Sequence, residues 1–187
     1  EILTPKEGGK ADIKVYSNGK VTVNVLGDES GEWSEVTPLE FEGDGEINVS
    51  FNENPSFRRM VKLALELDGG AKKDTIYVRQ SGVMPYLECA APYKNVSGVS
   101  PGFAEFSIDT NIPLSDLSST VEYISGGTDW ITGVSPELGN FVAETAASSV
   151  EHTSKARITV SYVDGWDETL SVNLYVTCSN KDGKFGS

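Results

Sequence analysis

Histidine is nearly missing from this sequence. One residue in 187, His152, must serve any chemistry that needs an imidazole. That scarcity removes most metal centres and most nucleophile–base–acid triads at the outset. His152 itself sits in Ser148-Ser149-Val150-Glu151-His152-Thr153, which reads as a polar loop. Cysteine is almost as scarce, with Cys89 and Cys178 alone, and no CxxC or Cys/His spacing exists. No apolar run approaches the ~18 residues that a membrane-crossing helix needs. No signal-peptide pattern is present, and the start at Glu1 without Met reads as a mature or trimmed segment.

Positive charge is also in short supply. The 15 Lys and Arg face 28 Asp and Glu, for a net charge of −13. Residues 1–82 hold 15 acids and 10 bases, and residues 83–187 hold 13 acids and 5 bases, so both halves are acidic. Neither half suits a phosphate backbone, and no nucleic-acid partner is expected. Helix signals are lacking too, since no window carries apolar residues at i, i+3, i+4 and i+7 behind a cap.

What is there is alternation. Ile13 and Val15, then Val21, Val23 and Val25, flank Ser17-Asn18-Gly19-Lys20, so residues 11–26 read as a hairpin. Ile47, Val49 and Phe51 alternate, as do Val61, Leu63, Leu65 and Leu67. Asp68-Gly69-Gly70 then turns the chain into Ile76 and Val78. The second half repeats the style in Phe103-Phe106-Ile108, Val121-Tyr123, Ile158-Val160-Tyr162 and Leu170-Val172-Leu174-Val176. Short strands with frequent turns indicate an all-β sandwich or barrel.

The halves also echo each other. Trp33 and Trp130 lie 97 positions apart, and Val61 and Leu63 fall on Ile158 and Val160 at the same offset. Ile76-Tyr77-Val78 falls on Leu174-Tyr175-Val176 at 98, which brings Gln80 onto Cys178. Ile47, Val49 and Phe51 meet Phe141, Ala143 and Thr145 if about three residues are lost. The expected fold is therefore two tandem immunoglobulin-like β-sandwich domains. The expected bounds are 1–82 and 83–180, with a C-terminal linker at 181–187.

The first copy resembles the BACON domain, a name that stands for Bacteroidetes-associated carbohydrate-binding, often N-terminal. The pieces that match are Gly8-Gly9, Val15-Tyr16-Ser17-Asn18-Gly19, Trp33, Asn54, Arg58-Arg59, the strand 61–67 and the closing Val78-Arg79-Gln80-Ser81-Gly82. The second copy keeps Trp130 and the spacing but lacks Gln-Ser-Gly. The resemblance implies a secreted or surface-lipoprotein module of Bacteroidetes, placed beside a further domain. Its expected place is extracellular or on the outer cell surface.

Candidate sites are few. Trp166, in Asp164-Gly165-Trp166-Asp167-Glu168, lies at an expected hairpin tip outside the repeated pattern. With Asp164 and Asp167 it forms the candidate glycan-binding group, an aromatic face beside carboxylates. The competing reading is a Trp folded back on its surroundings. Trp33 and Trp130, equivalent across the repeat, read as packing elements. Glu40–Glu46 is rich in oxygens but lacks the spacing of a calcium loop, so a solvated hairpin is expected and no metal is assigned. No carboxylate pair is marked for glycoside hydrolysis, and no catalytic residue or cofactor is expected. Cys89 and Cys178 fall in the expected first and last strands of the second copy. They are either a disulfide or two buried thiols. The expected protein is a monomeric, non-catalytic spacer or interaction platform for an adjacent domain. The alternative is a polysaccharide-binding module.

Overall fold

The computed structural model describes residues 1–147 and 153–179. His152 and the expected linker 181–187 lie outside the described residues. The chain divides into two compact units. The first is Glu1–Met84 together with Asp164–Glu168, and the second takes the remainder from Pro85 on. Both are β-sandwiches. The one helical element among the described residues is a single 3-10 turn at Leu114–Asp116, and no helix is long and apolar enough to cross a membrane.

The first unit contains β1 (Ile2–Thr4), β2 (Gly9–Val15), β3 (Lys20–Leu26), β4 (Ser34–Thr37), β5 (Glu40–Glu42), β6 (Gly45–Phe51), β7 (Arg59–Leu67) and β8 (Lys72–Gln80). One sheet runs β1-β8-β7-β3-β5 and the other β2-β6-β4. β1 pairs with β8 in parallel, and the other pairs are antiparallel. This crossing pattern, with first and last strands side by side, is the immunoglobulin-like sandwich. The period-2 alternation turns one face of each strand inward. Ile47, Val49, Val61, Leu63 and Val78 are fully buried as a result.

The Ser17-Asn18-Gly19 turn does not close a hairpin. β2 pairs only with β6, whereas β3 pairs with β7 and β5. The turn instead carries the chain across the sandwich. Two alternating runs around an Asn-Gly look alike whether their strands share a sheet or face each other, because periodicity does not report pairing.

The second unit contains β9 (Leu87–Glu88), β10 (Tyr93–Ser97), β11 (Gly102–Ser107), β12 (Asp109–Thr110), β13 (Ser118–Ser125), β14 (Ile131–Glu137), β15 (Asn140–Thr145), β16 (Ser154–Val163) and β17 (Thr169–Ser179). Its sheets run β10-β17-β16-β13 and β11-β15-β14, with a separate pair β9·β12. β10 pairs with β17 in parallel, as β1 does with β8. The core is built from Phe106, Trp130, Phe141, Ala156, Ile158, Val160, Leu174 and Val176.

Strand pairing aligns the units residue by residue. The Trp33 carbonyl accepts from Asn52 N and the Trp130 carbonyl from Ala146 N. Gly9 faces Phe51, and Gly102 faces Thr145. Ile47, Val49 and Phe51 therefore do correspond to Phe141, Ala143 and Thr145. The last hairpin needs a correction. Val61 faces Val78, whereas Ile158 faces Leu174, so the two offsets taken from the sequence do not hold together. Keeping Gln80 with Cys178 moves β7 by two residues and sets Arg59 against Ser154. A slip of two leaves every residue on its own face, so alternation alone does not detect it.

Candidate functional site

The segment Asp164–Glu168 is a self-closed turn. Asp164 is buried at 4% exposure, and its Oδ1 accepts from the backbone N–H groups of Trp166 (2.8 Å) and Glu168 (3.0 Å). This is how an Asp side chain organises a turn. The other carboxylate oxygen, Oδ2, accepts from Arg58 Nε at 2.6 Å, and the Arg58 guanidinium also reaches Glu168 at 2.6 Å. Burial pulls the Arg58 pKa down, but the hydrogen bonds it donates to Asp164 and Glu168 outweigh burial and leave it raised. The charge is thus fixed by two carboxylates, one of them fully covered. Gly165 is required here, because a side chain on it would run into the Arg58 carbonyl.

Trp166 is half-buried rather than a free platform. Its indole N–H donates to the carbonyls of Arg59 (3.1 Å) and Gln80 (3.2 Å). The guanidinium carbon of Arg58 lies 4.4 Å from the ring centroid and that of Arg79 5.1 Å. Both are within cation–π range. Asp167 is exposed and ion-paired to Lys62, whose pKa is raised by that hydrogen bond. The three residues singled out from sequence do lie together, and each is bonded within the first unit.

A second network explains the Gln-Ser-Gly ending. Gln80 is fully buried. Its Oε1 accepts from Arg59 Nε at 2.8 Å, and its Nε2 donates to the Asn52 carbonyl at 2.7 Å and the Pro5 carbonyl at 3.3 Å. One amide therefore ties β7, the end of β6 and the β1–β2 connection to β8. Asn54 works beside it, donating to the carbonyls of Phe57 and Ser81 and accepting from Ser56 N. A side chain at Gly82 would collide with the Asn54 amide and the Ser56 carbonyl, so only glycine fits. Arg59 also lies 4.3 Å over the Trp33 ring, and Trp33 stacks on Phe51 at 5.8 Å. Sequence pattern flagged Asn54, Arg58, Arg59 and Gln80 through the resemblance, but nothing in their spacing showed that they bond one another.

Asp28 was not singled out from sequence. It is buried, and its carboxylate accepts from the N–H groups of Glu32 (3.0 Å), Trp33 (3.0 Å) and Ser34 (2.7 Å) and from the Ser34 hydroxyl (2.8 Å). Burial pushes its pKa up, but those donors outweigh burial and hold it below the usual carboxylate value. The signal for it was Asp-x-x-Gly ahead of a turn, which is too common to single out.

In the second unit Trp130 is buried and donates its indole N–H to the Gly127 carbonyl at 3.0 Å. Cys89 and Cys178 are both free thiols. β9 stops at Glu88 and pairs with β12, while β17 is flanked by β10, where Val96 faces Cys178. The first-and-last-strand argument for a bridge therefore picked the wrong first strand. Burial raises the Cys178 pKa, as expected for a thiol packed as a small hydrophobe. Among the described residues no three His, Cys, Asp or Glu side chains converge as metal ligands.

No family model matches the chain, and no curated protein matches it. Among solved structures, the chain is similar to a Bacteroides ovatus GH5 xyloglucanase bound to a XXXG heptasaccharide. The identity is 20% and the TM-score 0.38, over 49% of this chain and 19% of that one. It is also similar to the titin I-band fragment I67-I69, at 13% identity and TM-score 0.39, over 96% of this chain and 62% of that one. Human protocadherin-24 EC1-2 aligns at 10% identity and TM-score 0.36, over 96% and 94%. The chain thus spans about a fifth of the xyloglucanase and under two thirds of the titin fragment. At these scores the immunoglobulin-like assignment stands on the strand order alone.

Proposed function

We propose that this chain is a non-catalytic β-sandwich module of a secreted or surface-anchored protein, BACON-like in its first unit. It acts as a spacer and interaction platform for a further domain. The observation that carries the reading is the use of Trp166, Asp164 and Asp167, whose hydrogen-bonding groups and charges are spent on Arg58, Arg59, Lys62 and Gln80. A side chain committed to internal bonds is poorly placed to take a substrate. The test is a turnover screen against polysaccharide, ester and peptide substrates. A spacer gives none, and turnover abolished by one carboxylate substitution overturns the reading.

A second reading, glycan binding, is favoured by a different pair. Tyr93 is 72% exposed and stacks on Tyr175 at 5.1 Å. Their outer sheet face is otherwise polar, with Asn95 and Thr177 alongside. Stacked exposed aromatics beside amide and hydroxyl groups suit a neutral sugar ring. Calorimetric titration with plant and host polysaccharides decides it. Binding lost in Tyr93→Ala supports it, and no binding across the panel removes it.

A further inference from the structure

Arg58 and Arg59 are neighbours in sequence and opposites in charge balance. Arg58 is held by the carboxylates of Asp164 and Glu168. Arg59 bonds only neutral acceptors among the described residues: Nε donates to the Gln80 amide, and Nη2 to the carbonyls of Asn52 and Glu53. Burial pulls its pKa down, and the charge of Asp28 opposes that only in part. Asp28 is itself committed to the donors of Glu32, Trp33 and Ser34. A cation taken partly out of water without a counter-ion is costly, and such a site gains by taking in an anion. Nη1 of Arg59 makes no hydrogen bond among the described residues and is not buried, so its hydrogens are open.

Arg59 lines a cleft of about 420 Å³ in the first unit, where β3 runs out into the loop that leads to Trp33. That volume is within the range of small-molecule sites. Three hydrogen bonds and the Trp33 ring, 4.3 Å away, already fix the guanidinium. A ligand that meets it therefore freezes little side-chain freedom. Leu26, 39% exposed, and Met60 give the cleft an aliphatic side. Lys62 adds no free cation, because Asp167 pairs with it. Glu29 and Asp167 are also on the lining, and two carboxylates penalise a ligand that carries more than one negative charge.

We propose that this cleft binds a small organic monocarboxylate, with its carboxylate on Arg59 Nη1 and its apolar body against Leu26 and Met60. Hydrogen bonds between two ionised groups are the strong kind. The two lining carboxylates select against phosphate and sulfate dianions. The inference goes beyond the spacer reading and uses no residue of the Tyr93–Tyr175 face, so each of the three stands or falls alone.

The test titrates the whole chain, ¹⁵N-labelled and at constant ionic strength, with phenylacetate, with its neutral analogue phenylacetamide, and with inorganic phosphate. Saturable shifts at the Arg59 side-chain Nε–H and at the Gly27 and Gly165 amides support the site, with a Kd of about a millimolar for one fixed cation and a small apolar contact. Phenylacetamide is expected to bind roughly tenfold more weakly, because it keeps a hydrogen bond but loses the charge. Arg59→Ala also removes the bond to Gln80, so the decisive variants lie on the rim. Leu26→Asp is expected to abolish phenylacetate binding. Glu29→Gln keeps an acceptor for Gly27 N and is expected to tighten binding about two- to threefold by removing one repulsive charge. No saturable shift at about 50 mM phenylacetate overturns the proposal. So do equal binding of phenylacetamide, phosphate binding as tight as phenylacetate, and an unchanged affinity in Leu26→Asp.

Discussion

In the first unit the last strand ends on a buried amide; in the second, the equivalent strand ends on a buried thiol. Gln80 bonds Arg59 and two backbone carbonyls, and Arg59 in turn lies over Trp33. Cys178 faces Ser154, whose hydroxyl accepts from Gly127 N, while the Gly127 carbonyl accepts from Trp130. The same Trp is held in both units, once by a cation and a side-chain amide, once by a hydroxyl and a backbone turn. A sandwich of this kind fixes where the closing strand and the Trp must meet, and leaves open the chemistry of the join. The polar version carries more buried groups that depend on one another, so it is the more brittle of the two.

The largest expected effect tests that brittleness. Arg58→Ala leaves the covered Asp164 carboxylate without its cation, and breaking such a pair costs about 3–5 kcal/mol. Hydrogen exchange followed amide by amide is expected to show the loss across β7, β8 and the Asp164–Glu168 turn, with β11 and β15 unchanged. Equal loss in both units would mean that the network is not local. Gln80→Ala comes next, at about 2–3 kcal/mol, because it strands Arg59 Nε and takes the nearer of two donors from the Asn52 carbonyl. Cys178→Ala removes one sulfur from an apolar site and is expected to cost about 1–2 kcal/mol. A chemical-denaturation series on the two variants checks the order, and a larger cost for Cys178→Ala would reverse the comparison.

Much of this was legible in the sequence. Period-2 alternation located the main strands, and the spacing of Trp33 from Trp130 is the spacing of equivalent positions. What the sequence withheld was pairing. Residues 11–26 carry the pattern of a hairpin, yet β2 and β3 lie in opposite sheets, because an arch and a hairpin impose the same alternation. The placing of Cys89 in the strand beside β17 missed for a related reason. The parallel partner of β17 is Tyr93–Ser97, and the break at Ala91-Pro92 separates it from Leu87–Glu88. Trp166 stood out because no counterpart exists in the first half. That correctly marked it as special, but whether an aromatic serves a ligand or its own chain depends on long-range partners such as Arg58 and Arg79, which no local pattern encodes.

A smaller effect separates the units by pH. Asp28 organises the turn that delivers Trp33 and Ser34 to β4, and the second unit holds Trp130 through Gly127 without a carboxylate in that role. The folded pKa of Asp28 is lowered, so its contribution is fully present above the unfolded value of about 3.9 and fades as pH falls through the folded one. Protonation removes charge from the acceptor of five donor contacts, for an expected loss on the order of 1 kcal/mol. Protection factors, in which the intrinsic slowing of exchange by acid is divided out, are therefore expected to fall more between pH 6 and pH 3 at Glu32–Ser34 than at Gly127–Ile131. Asp28→Asn, which keeps an acceptor oxygen but cannot ionise, is expected to lose stability at pH 6 and to narrow that difference. If the acid response of Glu32–Ser34 survives unchanged in Asp28→Asn, the pH sensitivity belongs to other carboxylates, and the two ways of holding the Trp do not differ in their response to acid.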